Sequence, residues 1–214
     1  MKKTLLLLIF FSLLGKAQIY TFNHLATIQT IKTKDGKETK YPTDQIAINS
    51  ENSNYILNNF SADGAFLTDI ATKKGHKFFV QKSKEDGQLF FKYEYSTEIK
   101  TKGSLFYNIN KINADQFFIQ IFWKKNKRKI RQEIKITLEE SSVDLYFLSA
   151  HLRNEEEKIL ISKIRSLTDP AKKYIVKTSE VDHKNYYTVK TEFKKIEKIN
   201  LTFKLPENLI YLNY

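Results

Sequence analysis

Apolar and polar positions along the chain recur mostly with a period of two. From Ile130 to Leu138 one side reads Ile130, Gln132, Ile134, Ile136 and Leu138, and the other Arg131, Glu133, Lys135 and Thr137. From Leu89 to Tyr95 one side carries Leu89, Phe91, Tyr93 and Tyr95, against Phe90, Lys92 and Glu94. Ile199, Leu201, Phe203 and Leu205 alternate in the same way with Lys198, Asn200, Thr202 and Lys204. Successive side chains of a strand point to opposite faces, so each segment predicts a strand with one buried and one wet face. Sheets of such strands are usually antiparallel. Phe117 to Trp123 differs: Phe117, Ile119, Ile121 and Trp123 form one face, yet Phe118 and Phe122 make the other apolar too. This predicts a central strand covered on both sides, pairing with Ile130–Leu138 across the turn Lys125-Asn126-Lys127-Arg128.

Further strands are expected near 20–33, 37–48, 54–60, 65–72, 76–82, 104–110, 143–149, 173–180 and 185–194. Glycines punctuate them. Asp35-Gly36, Asp63-Gly64 and Asp86-Gly87 are hairpin signals, because both central residues of a type I′ turn need positive φ. Turns at Gly64, Gly75 and Gly87 have the spacing of a meander of short strands.

One helix is expected over 154–167. Asn154 reads as its N-cap, Glu155, Glu156 and Glu157 as a first turn of acids, and Glu157 occupies the capping-box position. Ile159, Leu160, Ile161, Ile164 and Leu167 supply an apolar stripe, Lys163 and Arg165 fall near the end, and Pro170 stops the helix. A hairpin turning at 153–156 is the competing reading. The expected fold is therefore mainly β: a single antiparallel meander curled into a half-barrel, barrel or sandwich, with one short helix. In general plan this is similar to the half-barrel lipid-carrier architecture of envelope proteins, a likeness of layout carried by no motif.

The N-terminus changes the picture of location. Met1-Lys2-Lys3-Thr4 is a short basic start, Leu5–Leu14 is apolar except for Ser12, and Gly15-Lys16-Ala17 supplies small residues before Gln18. That order predicts a secretory signal peptide over residues 1–17. Its apolar run is about half the roughly 20 residues a membrane-spanning helix needs. The remaining 197 of 214 residues are expected to form one β-rich domain in the periplasm or outside the cell, not an integral helical membrane protein.

Cysteine is absent, which removes disulfides, thiol catalysis and cysteine-ligated metal. The formal charge is +12, or +9 without Lys2, Lys3 and Lys16, and favours anionic partners. The sharpest local feature is a basic hairpin: Lys124, Lys125, Lys127, Arg128, Lys129 and Arg131 place six cations in eight positions beside Trp123. It reads either as a contact for anionic lipid headgroups, with Trp123 as interfacial aromatic, or as a solvated turn whose charges keep strand edges apart. An envelope protein is the other expected partner, and no nucleic-acid module is present.

No motif supports catalysis or a cofactor. His24, His76, His151 and His183 show no metal-ligand spacing and read as isolated surface or strand histidines. There is no Gly-x-Ser-x-Gly turn, and the glycines are too scattered to cradle a phosphate. Asp63, Asp69, Glu94, Glu98 and Asp115 are carboxylates that nothing pairs. Aromatic residues such as Phe78, Phe79, Tyr186, Tyr187 and Phe193 read as core. The expectation is an exported binding or accessory protein, not an enzyme, whose curved sheet holds an apolar or amphipathic ligand. Two alternatives stand beside it: a small outer-membrane β-barrel, suggested by the alternating, aromatic end Ile210–Tyr214, and a secreted hydrolase with an unrecognised site.

Overall fold

A computed structural model describes residues 18–61, 64–82, 89–99, 104–148, 152, 154–184 and 186–212. The expected leader at 1–17, the Asp86-Gly87 turn, Asp63 and His151 lie outside the described residues.

Twelve strands form one antiparallel sheet. In chain order they are β1 (Ile19–Lys34), β2 (Lys37–Lys40), β3 (Asp44–Ile48), β4 (Tyr55–Ser61), β5 (Gly64–Asp69) and β6 (Lys74–Lys82). They continue with β7 (Leu89–Glu98), β8 (Phe106–Lys111), β9 (Gln116–Phe122), β10 (Ile130–Ser141), β11 (Lys173–His183) and β12 (Tyr187–Lys204). The order across the sheet is β7-β6-β5-β4-β3-β1-β12-β11-β10-β9-β8, with β2 beside β1. The sheet curls without closing, so β7 and β8 are its two edges and the barrel and sandwich alternatives are replaced by an open sheet. Among the described residues one helix, α1 (Asn154–Arg165), lies where the acidic first turn and basic last turn predict it, ending two residues before the expected 167, and the hairpin alternative is not formed.

Two cores result from the curl. The first joins α1 to the sheet through Leu160, Ile164, Ile46, Ile48, Phe117, Ile119, Ile134 and Ile136. The second gathers Tyr20, Phe22, Ala47, Leu57, Leu67, Phe78 and Phe203. β3 shows how one strand serves both: Ile46 and Ile48 enter the first core, and Ala47 between them enters the second. Aromatic edges meet faces in the second core, as between Phe22 and Phe203 at 5.7 Å and Phe91 and Phe203 at 4.5 Å.

Several expectations are corrected. The strand expected at 37–48 is interrupted at Tyr41-Pro42-Thr43, because proline has no N–H for the ladder and Gln29 Nε2 caps the Tyr41 carbonyl at 2.6 Å. Of the segment expected at 143–149, the described residues 143–148 form no sheet strand. They run over the helix-bearing face as a strap joined to the sheet by one isolated bridge, Leu145 to Ile175, and their alternation is satisfied by burying Leu145 and Leu148 in the first core. The two strands expected at 185–194 and 198–205 merge into one 18-residue strand, β12, which runs from Tyr187 to Lys204. Its pairing with β1 shifts register twice, and the charged run Lys194–Lys198 that resembles a break sits between the shifts. Gly75 is no turn residue: it pairs Thr68 within β6, and a Cβ there would come within 2.3 Å of the Phe66 ring. The preceding turn instead uses Lys73 at φ 57°. The Asp35-Gly36 turn has both φ angles positive, 51° and 74°, as a type I′ turn requires. Trp123 is 59% exposed rather than facing inward with Ile121, since β9 ends at Phe122. Ile159 drops out of the helix stripe and is exposed.

Candidate functional site: a cleft between sheet and helix

The strap at 143–148 follows β10 and builds one wall of a cleft beside α1. Its backbone is held on both sides. Leu145 N–H donates to Tyr174 O at 3.0 Å, and Val176 N–H donates to Leu145 O at 3.2 Å. Asp144 Oδ1 accepts from Tyr174 N–H at 2.8 Å, and Ser179 Oγ donates to Leu148 O at 2.5 Å. Leu148 N–H donates to Glu157 Oε1 at 2.6 Å, which ties the strap to the first turn of α1. The capping-box residue therefore faces the strap, a partner that only the tertiary fold supplies.

The helix is anchored at both ends. Arg131 grips Glu156 with two N–H donors at 3.0 and 3.3 Å, and the Glu156 side chain is only 6% exposed. Near the other end Arg165 pairs with Asp144 at 3.3 Å and lies over the Tyr146 ring. Two loop contacts complete the frame: Lys73 pairs with Glu155 at 3.2 Å, and Lys158 donates to Asn54 Oδ1 at 3.1 Å.

Between these elements lies a cavity of about 200 Å³. Ile48, Ile56 and Ile70 line it from the sheet side, Leu145 and Phe147 from the strap, and Ile161 from α1. Its other walls are polar, with Asn49, Ser50, Glu51, Ser53, Asp144, Lys158 and Arg165 among them, and two buried polar groups, Glu157 and Asn58, also line it. Burial pushes the Glu157 carboxyl above the usual carboxylate range, with the Leu148 amide opposing the shift. Asn58 Oδ1 is buried with no hydrogen-bond partner. A buried acceptor left unpaired costs about 1–3 kcal/mol, so it favours any guest that brings a donor. The cavity is larger than the roughly 150 Å³ that admits benzene and smaller than the roughly 300 Å³ at which drug-sized sites begin. It suits one slender apolar group bearing a hydrogen-bonding end.

The residues singled out in the basic hairpin lie elsewhere. Lys124, Lys125, Lys127, Arg128 and Lys129 are exposed with Trp123 around the β9–β10 turn. Lys127 Nζ donates to Asn108 Oδ1 and approaches the Phe122 ring at 5.8 Å. Arg131 leaves this group, because its guanidinium turns to Glu156 of α1.

The histidines are not all outside. His24 and His76 are buried on β1 and β6, and His183 is partly buried at the end of β11. His76 Nδ1 lies 2.7 Å from Ser96 Oγ, which lies 2.7 Å from Tyr93 Oη. Nearby, Asp69 accepts from Tyr20 Oη at 2.7 Å, Gln18 Nε2 at 2.8 Å and Thr72 N–H at 3.0 Å. A serine, a histidine and a carboxylate thus lie close together, brought from residues that no sequence spacing links, though Asp69 acts on His76 through its charge and not through a hydrogen bond. His76 and Ser96 are both 0% exposed, and the Asp69 oxygens are taken by other donors. The network buttresses the second core and leaves no room for a substrate at Ser96 Oγ. Among the described residues no three potential metal ligands converge, and no helix is long and apolar enough to cross a membrane.

Fold and cleft together define an open antiparallel sheet with a helix and strap over one face. No family model and no curated protein matches the sequence. Among solved structures, one named as an outer membrane lipoprotein-sorting protein domain from Vibrio parahaemolyticus aligns with 83% of this chain and 85% of its own, at 10% identity and a TM-score of 0.25. A DUF1329 family protein from Desulfovibrio piger aligns over 89% of both chains, at 7% identity and a TM-score of 0.23. Superpositions this loose assign neither a fold family nor an activity.

Proposed function

We propose that this chain is an exported binding protein of the cell envelope that holds an apolar or amphipathic ligand between its sheet and helix. The observation that carries the reading is the cavity. Ile48, Ile56, Ile70, Leu145, Phe147 and Ile161 form an apolar part of it, the Glu157 carboxyl and the unpaired Asn58 Oδ1 line it, and charged residues including Lys158 and Arg165 complete the lining. An apolar patch beside polar and charged groups suits an amphipathic ligand, whose two ends need different surroundings. A carboxyl held toward its neutral form by burial can donate a hydrogen bond as well as accept one. The chain binds and does not catalyse in this reading, in which the His76–Ser96 pair, sealed in the second core, serves structure. Export follows from the expected leader over 1–17.

The test is titration of the leaderless chain with a fluorescently labelled fatty acid. Saturable uptake of one probe per chain is expected, and Ile161→Trp, which fills the cavity from the helix side, is expected to weaken it at least about tenfold while leaving the urea midpoint nearly unchanged. Uptake that never saturates, or that is untouched by filling the cavity, overturns the reading.

A further inference from the structure

We propose that one end of the sheet, built from three neighbouring hairpin tips, is a docking surface for an anionic lipid bilayer. The register places the tips together. Lys34 pairs Lys37 where β1 turns into β2, His183 pairs Tyr187 where β11 turns into β12, and Phe122 pairs Ile130 where β9 turns into β10. Thr33 pairs Thr188, so the first two tips adjoin, and the strand order β1-β12-β11-β10-β9 sets the third beside them at the same end. Three segments far apart in the chain, near residues 34–37, 122–130 and 183–187, thus form one end of the sheet.

The chemistry of that end is consistent across the tips. Lys34, Lys37, Lys124, Lys125, Arg128 and Lys129 are exposed, and among the described residues none of them enters an ion pair. Asp35 is the one carboxylate within the tips themselves. Behind them, Asp182 and Glu133 are each engaged by Lys184 at 2.6 Å, so they do not neutralise the free cations. Trp123 and Tyr186 stand on two of the tips at 59% and 73% exposure. The third tip is a formed turn, closed by Trp123 N–H to Lys129 O at 3.1 Å and Lys127 N–H to Lys124 O at 3.0 Å, so its side chains project from a fixed backbone.

Unpaired cations bordered by exposed tryptophan and tyrosine match a bilayer surface, where headgroup phosphates meet the cations and the rings sit at the polar–apolar boundary. A row of turn tips also presents points to a plane. It offers no groove to enclose a strand of polyanion and no stacked platform of rings, the features that hold a single nucleic-acid strand.

The experiment is flotation of the leaderless chain with vesicles of phosphatidylglycerol and phosphatidylcholine, compared with pure phosphatidylcholine, at about 0.1 M salt. Trp123 is the chain's only tryptophan, so its emission reports directly on this end of the sheet. Binding to the anionic vesicles with a blue shift, and none to the neutral ones, is expected. Lys34→Gln with Lys37→Gln, on a tip remote in sequence from Trp123, is expected to weaken binding by roughly fivefold per cation removed, as is Lys124→Gln with Lys125→Gln. Unchanged urea midpoints keep these surface variants interpretable. Absence of binding, equal binding to neutral vesicles, or indifference to the Lys34 and Lys37 changes overturns the proposal. So does heparin binding with no response from Trp123 to vesicles. The cavity-filling Ile161→Trp variant is expected to float as the parent does, which separates this surface from the ligand cleft.

Discussion

At the scale of single residues, burial decides more than identity. His76 is an ordinary strand residue in the sequence, yet enclosure beside Ser96, with Nε2 left unpartnered, lowers its pKa to about 4. The pH dependence follows. Above about pH 6.5 the ring is neutral in both folded and unfolded chains and contributes no slope. Between pH 6.5 and 4 unfolded chains take up a proton that the native state refuses, so stability falls by as much as about 3 kcal/mol. His24, also lowered by burial, acts in the same sense. Glu157 acts in the opposite sense, because its folded pKa is raised and its contribution is lost as pH rises. Urea midpoints measured from pH 7.5 to 4 are therefore expected to fall, and His76→Gln is expected to flatten the fall. An unchanged slope in that variant would place the titration elsewhere. None of this is legible in the chain, since the network's members come from β1, the end of β5, β6 and β7 and meet only when the sheet curls.

Among elements, the helix shows what periodicity resolves and what it leaves open. Its acidic first turn and basic last turn locate it, but it ends at Arg165, short of the expected Leu167, and five apolar residues compete for a stripe that has room for fewer. Leu160 and Ile164 enter the core, and Ile159, one position from Leu160 and so about 100° around the helix, faces solvent. Leu160→Ala is expected to cost about 2–5 kcal/mol in urea unfolding, whereas Ile159→Ala should remain within about 0.5 kcal/mol of the parent. Equal losses would mean that α1 is rotated about its axis. The strap at 143–148 is the opposite case. Its alternation is real, but alternation reports only that one side is buried, and a segment crossing a sheet face satisfies it as well as a paired strand does.

For the whole molecule, an open sheet has to protect its edges. β7 is partly covered by the chain's own C-terminal segment: Ser96 N–H donates to Ile210 O at 2.7 Å, Leu212 N–H donates to Ser96 O at 3.0 Å, and Tyr93 Oη contacts both the N–H and the carbonyl of Ile210 at 3.1 Å. The alternating end that resembles an outer-membrane strand thus serves as an edge cover. Exposed edges recruit other strands. Ending the chain after Leu205 is expected to cause concentration-dependent self-association in sedimentation velocity, where the intact chain sediments more slowly at equal concentration. A truncated chain that sediments as a monomer would remove the protective role.

By itself the sequence determined that the chain is built of alternating segments, where most of them begin and end, and that one helix interrupts them, because the period of two and the capping charges are local properties. It also marked the one densely basic turn. The tertiary structure decided that the sheet stays open, that α1 and the strap cover one face, and that a cavity remains between them. It likewise turned Arg131 away from the basic hairpin and brought two further hairpin tips beside it. These outcomes depend on strand order and curl, which arise from contacts between residues distant in the chain and leave no trace in any local period.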